Sequence, residues 1–216
     1  MAQESDGTPA MNASKPPSAP PVILASASKS RAQLLLAAGV PHQVVPANVD
    51  EDEVKHSLAR EGAPPLTVAQ TLAELKAQQI SRRNRDALVI GADQVLDCDG
   101  QLFDKPADLD HARAHLIALR GRRHTLVASV NVMRDGREIW RHNEQALLDM
   151  RQLSDAFVEW YIDRMGDQAC ESVGAYKLEG LGAQLFSNLE GDFFSILGLP
   201  LLPLLGVLRN HGVVPS

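Results

Sequence analysis

The segment Val22-Ile23-Leu24-Ala25-Ser26-Ala27-Ser28-Lys29-Ser30-Arg31 changes character part-way along, and that change sets the fold class. Val22 to Ala25 is a continuous apolar run, the pattern of a strand covered on both faces. A serine-rich turn follows, and Ser28 to Ala38 has helix-forming composition with Gly39 placed to end it. Strand, turn and helix in this order form the first unit of an α/β domain. The turn also concentrates donors: the hydroxyls of Ser26, Ser28 and Ser30, the cations Lys29 and Arg31, and the free N–H groups of a helix start converge as a cradle for an anion. The spacing is not that of a Walker A loop. Plain N-capping by serine beside solvated cations is the competing reading.

Working outward, strand-length apolar runs continue to alternate with helix-length periodic segments. His42 to Pro46 predicts a second strand and Asn48 to Glu53 an acidic loop. After Pro64-Pro65 a helix carries Val68, Leu72 and Leu75 as its buried stripe, with Lys76 at the edge of that stripe. Ala87 to Ala92 is another buried-strand run ending on Asp93, which places this carboxylate at the carboxyl end of a strand, where ligands of open α/β sheets collect. Asp99-Gly100 and Asp135-Gly136 predict hairpins. His124 to Met133 and Glu144 to Arg151 read as antiparallel strands. Asp108 and Ser154 cap helices: Leu109, Ala112, Leu116 and Leu119 are buried in the first, and Phe157, Tyr161 and Met165 share a face of the second. A glycine-punctuated stretch then leads into an apolar terminal helix. The whole predicts an α/β domain over residues 22–212, compatible with two lobes around a cleft, preceded by a disordered tail over residues 1–21 that lacks the apolar core of a secretory signal.

Composition bounds the function. The chain has 216 residues, enough to bury a core without help from a disulfide or structural metal. Lys+Arg 21 against Asp+Glu 27 gives a net charge of −6, and aromatic residues are only 4%. A broad nucleic-acid face is thereby excluded, whereas a local basic pocket for a phosphorylated small molecule is not. The longest apolar run, Ile196 to Leu208, is broken by Gly198, Pro200, Pro203 and Gly206, so no membrane span is expected. Cys98 and Cys170 match no metal or redox spacing and suit a cytoplasmic protein.

Three groups of residues could carry chemistry. The serine cradle is the first. Asp50, Glu51 and Asp93 are the second, because hard divalent cations such as magnesium use one or two carboxylates beside substrate phosphates and water. Lys76 and Lys105 are the third, as mobile charges able to follow a polyphosphate toward its transition state. His111 and His115 sit four apart but lack the glutamate of a zinc-protease motif, and no serine elbow marks a hydrolase triad.

Taken in order, these pieces resemble the Maf family of nucleoside triphosphate pyrophosphatases. Leu24-Ala25-Ser26-Ala27-Ser28-Lys29-Ser30-Arg31 followed by Leu34-Leu35 is similar to the family's opening Leu-Ala-Ser-x-Ser-x-x-Arg segment. Val49-Asp50-Glu51, Leu72-Ala73-Glu74-Leu75-Lys76-Ala77, Gly91-Ala92-Asp93, Lys105-Pro106 and Gly198-Leu199-Pro200 resemble its later motifs. The resemblance implies an elongated mixed sheet flanked by helices around a central cleft, and hydrolysis of a nucleoside triphosphate to monophosphate and pyrophosphate. It further implies that Ser28, Arg31, Lys76 and Lys105 hold phosphate oxygens, that Glu51 and Asp93 organise a divalent ion (Mg2+ or Mn2+), and that Asp93 accepts the proton of the attacking water. Assembly as a homodimer is compatible with it.

Three positions depart from the common family pattern: Ser30 in place of Arg, Gln94 in place of Thr and Glu179 in place of Gln. Such positions are linked in the family to base selection. Gln94 together with Lys177-Leu178-Glu179-Gly180 resembles the branch acting on 7-methyl-GTP, in which a carboxylate at Glu179 could oppose the cationic base and accept its N–H protons. A regulatory binding protein of cell division, suggested by the family's name, and a nucleotidyltransferase are the competing functions. The first would need an exposed partner groove, which the sequence does not clearly show.

Overall fold

The structure, a computed structural model, describes residues 19–215; of the tail expected over residues 1–21, residues 1–18 lie outside that range. The strands are β1 (Val22–Leu24), β2 (Gln43–Val44), β3 (Leu88–Cys98), β4 (Gln101–Phe103), β5 (Arg123–Arg134), β6 (Arg137–Met150) and β7 (Phe186–Glu190). They form one seven-stranded mixed sheet in the order β2-β1-β3-β5-β6-β7, with β4 paired to β3. β1 runs parallel to β2 and β3, and the remaining pairs are antiparallel. The helices are α1 (Lys29–Ala37), α2 (Glu51–Arg60), α3 (Pro65–Ser81), α4 (Leu109–Leu119), α5 (Asp155–Met165), α6 (Phe193–Ile196) and α7 (Leu201–Asn210).

Local chemistry explains most boundaries. Ser28 caps α1 through its hydroxyl, Asp108 caps α4 and Ser154 caps α5. Asp99-Gly100 and Asp135-Gly136 both have positive φ, as a two-residue hairpin turn of matching twist requires. The second of these joins β5 directly to β6, so β6 begins at Arg137 rather than near Glu144. On one face of the sheet, α1 and α7 cover Leu24, Leu88 and Ile90, while α4 and α5 cover Leu96, Leu126 and Leu148. α3 covers the opposite face along its length, against Val89 at one end and Val95 at the other. The two lobes are therefore separately packed halves of one sheet, with the cleft between them.

Three sequence expectations are corrected here, each for a physical reason. Residues Asn48 to Glu53 are not a simple acidic loop. Asp50 accepts a hydrogen bond from the Glu53 amide at 3.0 Å and starts α2, whose first turn holds Glu51, Asp52 and Glu53 where the helix dipole favours negative charge. Asp93 is not at a strand's end: β3 continues to Cys98 because β5 pairs with it from Val89 to Asp97. The strand that ends is its other neighbour, β1, whose last registered pair is Leu24 with Ile90. Finally, Leu75 is only half-buried and Lys76 lies in the buried stripe of α3, beside Leu72, Ala73 and Ala77.

Gly91 is the reason for that shift. A methyl group there would meet the Ala73 carbonyl oxygen at 2.2 Å and the Ala77 nitrogen at 2.7 Å, so α3 lies directly on the β3 backbone. This close approach brings Lys76 over the next residue on that face, Asp93. Gly91→Ala is expected to lower the melting temperature by about 5 °C, corresponding to roughly 1–3 kcal/mol of overpacking. Thermal unfolding followed by circular dichroism checks it; an unchanged melting point would show that α3 has slack at this position.

Candidate active site

β1 stops at Leu24, and the next strand on that side of β3, β4, begins to pair only at Leu96. The β3 edge between these points has no strand partner, and the cleft opens there. The cleft measures about 590 Å³ and is walled by the turn from Ala25 to Ser28, the start of α2, the segment after β4 and the loop around Ser172.

Side chains take the place of the missing strand. The Arg31 guanidinium is buried; its Nε donates to the Gly198 carbonyl at 2.8 Å, and one terminal nitrogen donates to the Ala92 carbonyl and to Ser26 Oγ, both at 3.0 Å. Ser26 Oγ also accepts from the Ser28 amide at 3.2 Å. Gln94 closes the other side by donating to the Ser195 and Ile196 carbonyls at 2.8 and 3.2 Å. Both residues therefore tie the C-terminal segment to the open edge of β3.

At the floor of the cleft, Lys76 Nζ lies 2.7 Å from Asp93 Oδ1 and 2.7 Å from Glu51 Oε1. Lys76 and Asp93 are only 7% and 5% exposed, while Glu51 is less enclosed. A buried charge is tolerated when it is paired and hydrogen-bonded, and here one ammonium serves two carboxylates. Their surroundings drive the acids apart. Burial raises the Asp93 carboxyl above its ordinary range, and the opposing pull of Lys76 and Arg31 does not cancel it. Burial alone would raise Glu51 as well, but Lys76, Lys55 and Arg31 together hold it below the usual carboxylate range.

Lysines complete the cleft. Burial and then the neighbouring Arg31 push Lys105 below the usual lysine range, and it makes no ion pair among the described residues. Lys55, on α2, bonds Asp104 at 2.5 Å and approaches Glu51 at 3.9 Å. At the far wall Glu171 pairs with Lys29 at 2.9 Å and also with Lys177, which hold its carboxyl down to about 2.

The structure thus gathers Ser28, Ser30, Arg31, Glu51, Lys76, Asp93, Gln94 and Lys105 around one cleft. Glu179 is not among its lining. Leu178 is buried and Glu179 exposed, and the carboxylate lining that wall is Glu171. Sequence reading missed Lys55, Asp104, Glu171 and the structural use of Ser26. Only Lys55 had a local signal, the i, i+4 spacing from Glu51; the others meet the cleft through the tertiary fold.

Among the described residues no cluster of three or more histidine, cysteine or acidic side chains could hold a metal by itself. Glu51 and Asp93 both direct a carboxylate oxygen at Lys76 Nζ, and as hard oxygen donors they are of the type a divalent cation takes beside phosphate and water. No helix among the described residues is long and apolar enough to cross a membrane.

A mixed α/β sheet with a crevice where a parallel strand ends, lined by lysines and an arginine set against carboxylates, has the form of an enzyme site for a small charged substrate. The chain belongs to the Maf-like protein family, whose sequence profile matches residues 21–211. It is 55% identical over 190 residues to a protein of Paramagnetospirillum magneticum named nucleoside triphosphate pyrophosphatase, covering 88% of this chain and 98% of that one. A protein of Granulibacter bethesdensis with the same name is 52% identical, covering 88% of this chain and 96% of the relative. A protein of Mesorhizobium japonicum named 7-methyl-GTP pyrophosphatase is 46% identical, covering 89% and 97%.

Removing the ammonium isolates a buried charge. Lys76→Met is expected to cost about 3 kcal/mol at neutral pH. Asp93 would then titrate higher still in the folded state than in the unfolded chain, so the folded state binds the extra proton and stability falls as pH rises through that window. The loss should shrink as pH is lowered from 7 toward 5. Melting temperatures of the variant and the parent across that range check this; a difference independent of pH would contradict it.

Proposed function

We propose that this chain hydrolyses nucleoside triphosphates between the α and β phosphorus atoms, releasing a nucleoside monophosphate and pyrophosphate. The observation that carries the reading is the buried Lys76, bonded at once to Asp93 and Glu51 beneath a cleft that also presents Lys105, Ser28 and Ser30. Such an array suits a polyphosphate, whose transition state is reached mainly by positioning and charge stabilisation.

In this mechanism the serine turn and the start of α1 orient the phosphate chain through hydroxyl and backbone donors. Lys76 and Lys105 offset the charge that builds as the α–β anhydride opens. Asp93 accepts a proton from the attacking water as the new P–O bond forms, and the pyrophosphate leaves with the electrons of the broken one. Its raised pKa makes Asp93 a better base than an ordinary carboxylate. Glu51 and Asp93 would hold the divalent ion, Mg2+ or Mn2+, which would polarise phosphoryl oxygens and acidify the water. Arg31, committed to three protein acceptors, positions the turn as much as it meets substrate.

The finer reading extends the substrates to modified nucleotides, 7-methyl-GTP among them, so that the enzyme would clear non-standard nucleotides from the cytoplasmic pool. Gln94 in the cleft and the printed name of the Mesorhizobium relative support it. Base contact through Glu179 has less support, since that side chain does not line the cleft.

Purified protein assayed against ordinary triphosphates and 7-methyl-GTP should release pyrophosphate and monophosphate in equal amounts, and diphosphate with free phosphate would overturn the reading. Asp93→Asn should lower kcat/KM by about 100-fold or more.

A further inference from the structure

Two of the cations around the cleft are already committed to protein partners. Lys76 is held between Glu51 and Asp93, and three of the donor bonds of Arg31 go to Gly198, Ala92 and Ser26. A polyphosphate entering the cleft needs cations that can turn to it. Lys105 is one; the second is on α2.

We propose that Lys55 is a further substrate-binding residue, which grips the pyrophosphate portion of the triphosphate by exchanging Asp104 for a phosphate oxygen. The proposal rests on the pyrophosphatase reading above. Lys55 lines the cleft, and its side chain is 23% exposed, whereas its partner Asp104 is 65% exposed. Its Nζ lies 3.9 Å from Glu51 Oε2, while the opposite carboxylate oxygen of Glu51 bonds Lys76. Lys55 is thus placed with the acid and lysine cluster at the reacting end of the cleft, and not with Glu171 and Val173 at the other wall.

The Lys55–Asp104 pair also crosses the cleft, joining the first turns of α2 to the segment that carries Lys105. An ion pair with so exposed a carboxylate contributes little net energy, so giving it up costs little. An ammonium on a phosphate inside a water-poor cleft is the stronger interaction. Asp104 then acts as a placeholder: it keeps the Lys55 side chain extended across the gap until phosphate arrives, and substrate entry replaces one bridge between the walls by another.

Inorganic pyrophosphate is the probe, because it reports on the phosphate subsite without reference to the base. Its binding to the full chain, measured by calorimetry with magnesium present, should weaken by about tenfold in Lys55→Met, as expected for loss of one charge-assisted hydrogen bond, and should largely recover in Lys55→Arg. KM for each hydrolysed triphosphate should rise by a similar factor with the ranking of bases preserved. Asp104→Asn, which releases Lys55, should tighten pyrophosphate binding. Opposite shifts in the two variants support the proposal. Equal shifts in the same direction would make the pair a structural strap, and pyrophosphate affinity within twofold of the parent in Lys55→Met, with its melting temperature retained, would also overturn the proposal. Absence of triphosphate turnover in the parent would remove the pyrophosphatase reading alone, since the calorimetric comparison needs no turnover.

Discussion

The ammonium of Lys76 between Asp93 and Glu51 is the interaction on which the site depends. A buried carboxylate needs a partner, and Asp93, nearly sealed on the α3 face of the sheet, has one only because α3 comes within backbone contact of β3. Gly91 permits that contact by having no side chain. The same lysine reaches Glu51 at the start of α2, so one charged group joins helix α3, the central strand and the cleft's acidic rim. Geometry built into packed elements of this kind stays within the narrow tolerance that catalysis requires.

The sheet supplies the opening that makes this cluster accessible. β1 stops short while β3 runs on, so a buried strand has an unpaired edge inside the protein, a situation that costs free energy unless its carbonyls and amides find partners. Arg31 meets part of that need by donating to the Ala92 carbonyl, and Arg31 and Gln94 together tie down the segment from Ser195 to Gly198. The serine turn thus has two parts: its serines and helix start line the cleft, while its arginine holds the edge from which the cleft was made.

Charge in the cleft is paired rather than one-sided. In a chain of net charge −6, Arg31, Lys55, Lys76 and Lys105 line the cleft together with Glu51, Asp52, Asp93, Asp104 and Glu171. The acidic exterior discourages extended polyanions such as nucleic acids. Burial is the first cause of both the depressed Lys105 and the raised Asp93; the neighbouring Arg31 adds to the first shift, whereas Lys76 and Arg31 oppose the second. Perturbed acids and bases in one cleft are a physical mark of a working site.

The sequence by itself determined the local grammar. It specified the buried β1 run, the serine cap of α1, the caps of α4 and α5, the Asp-Gly hairpins and the α/β class, because each depends on neighbours a few residues away. It also singled out Ser28, Arg31, Glu51, Lys76, Asp93 and Lys105, which line one cleft, partly through motif order. What it misplaced were environments. Asp93 is mid-strand because β5 extends the pairing, Lys76 is buried because Gly91 admits α3, and Glu51 begins a helix because its cap outweighs the look of a charged loop. Glu179 is outside the cleft's lining, whereas Glu171 and Asp104 meet the cleft from distant positions. Only tertiary structure decides such matters, since burial and the distances between charges are set by which surfaces pack together, and short-range patterns do not encode that choice.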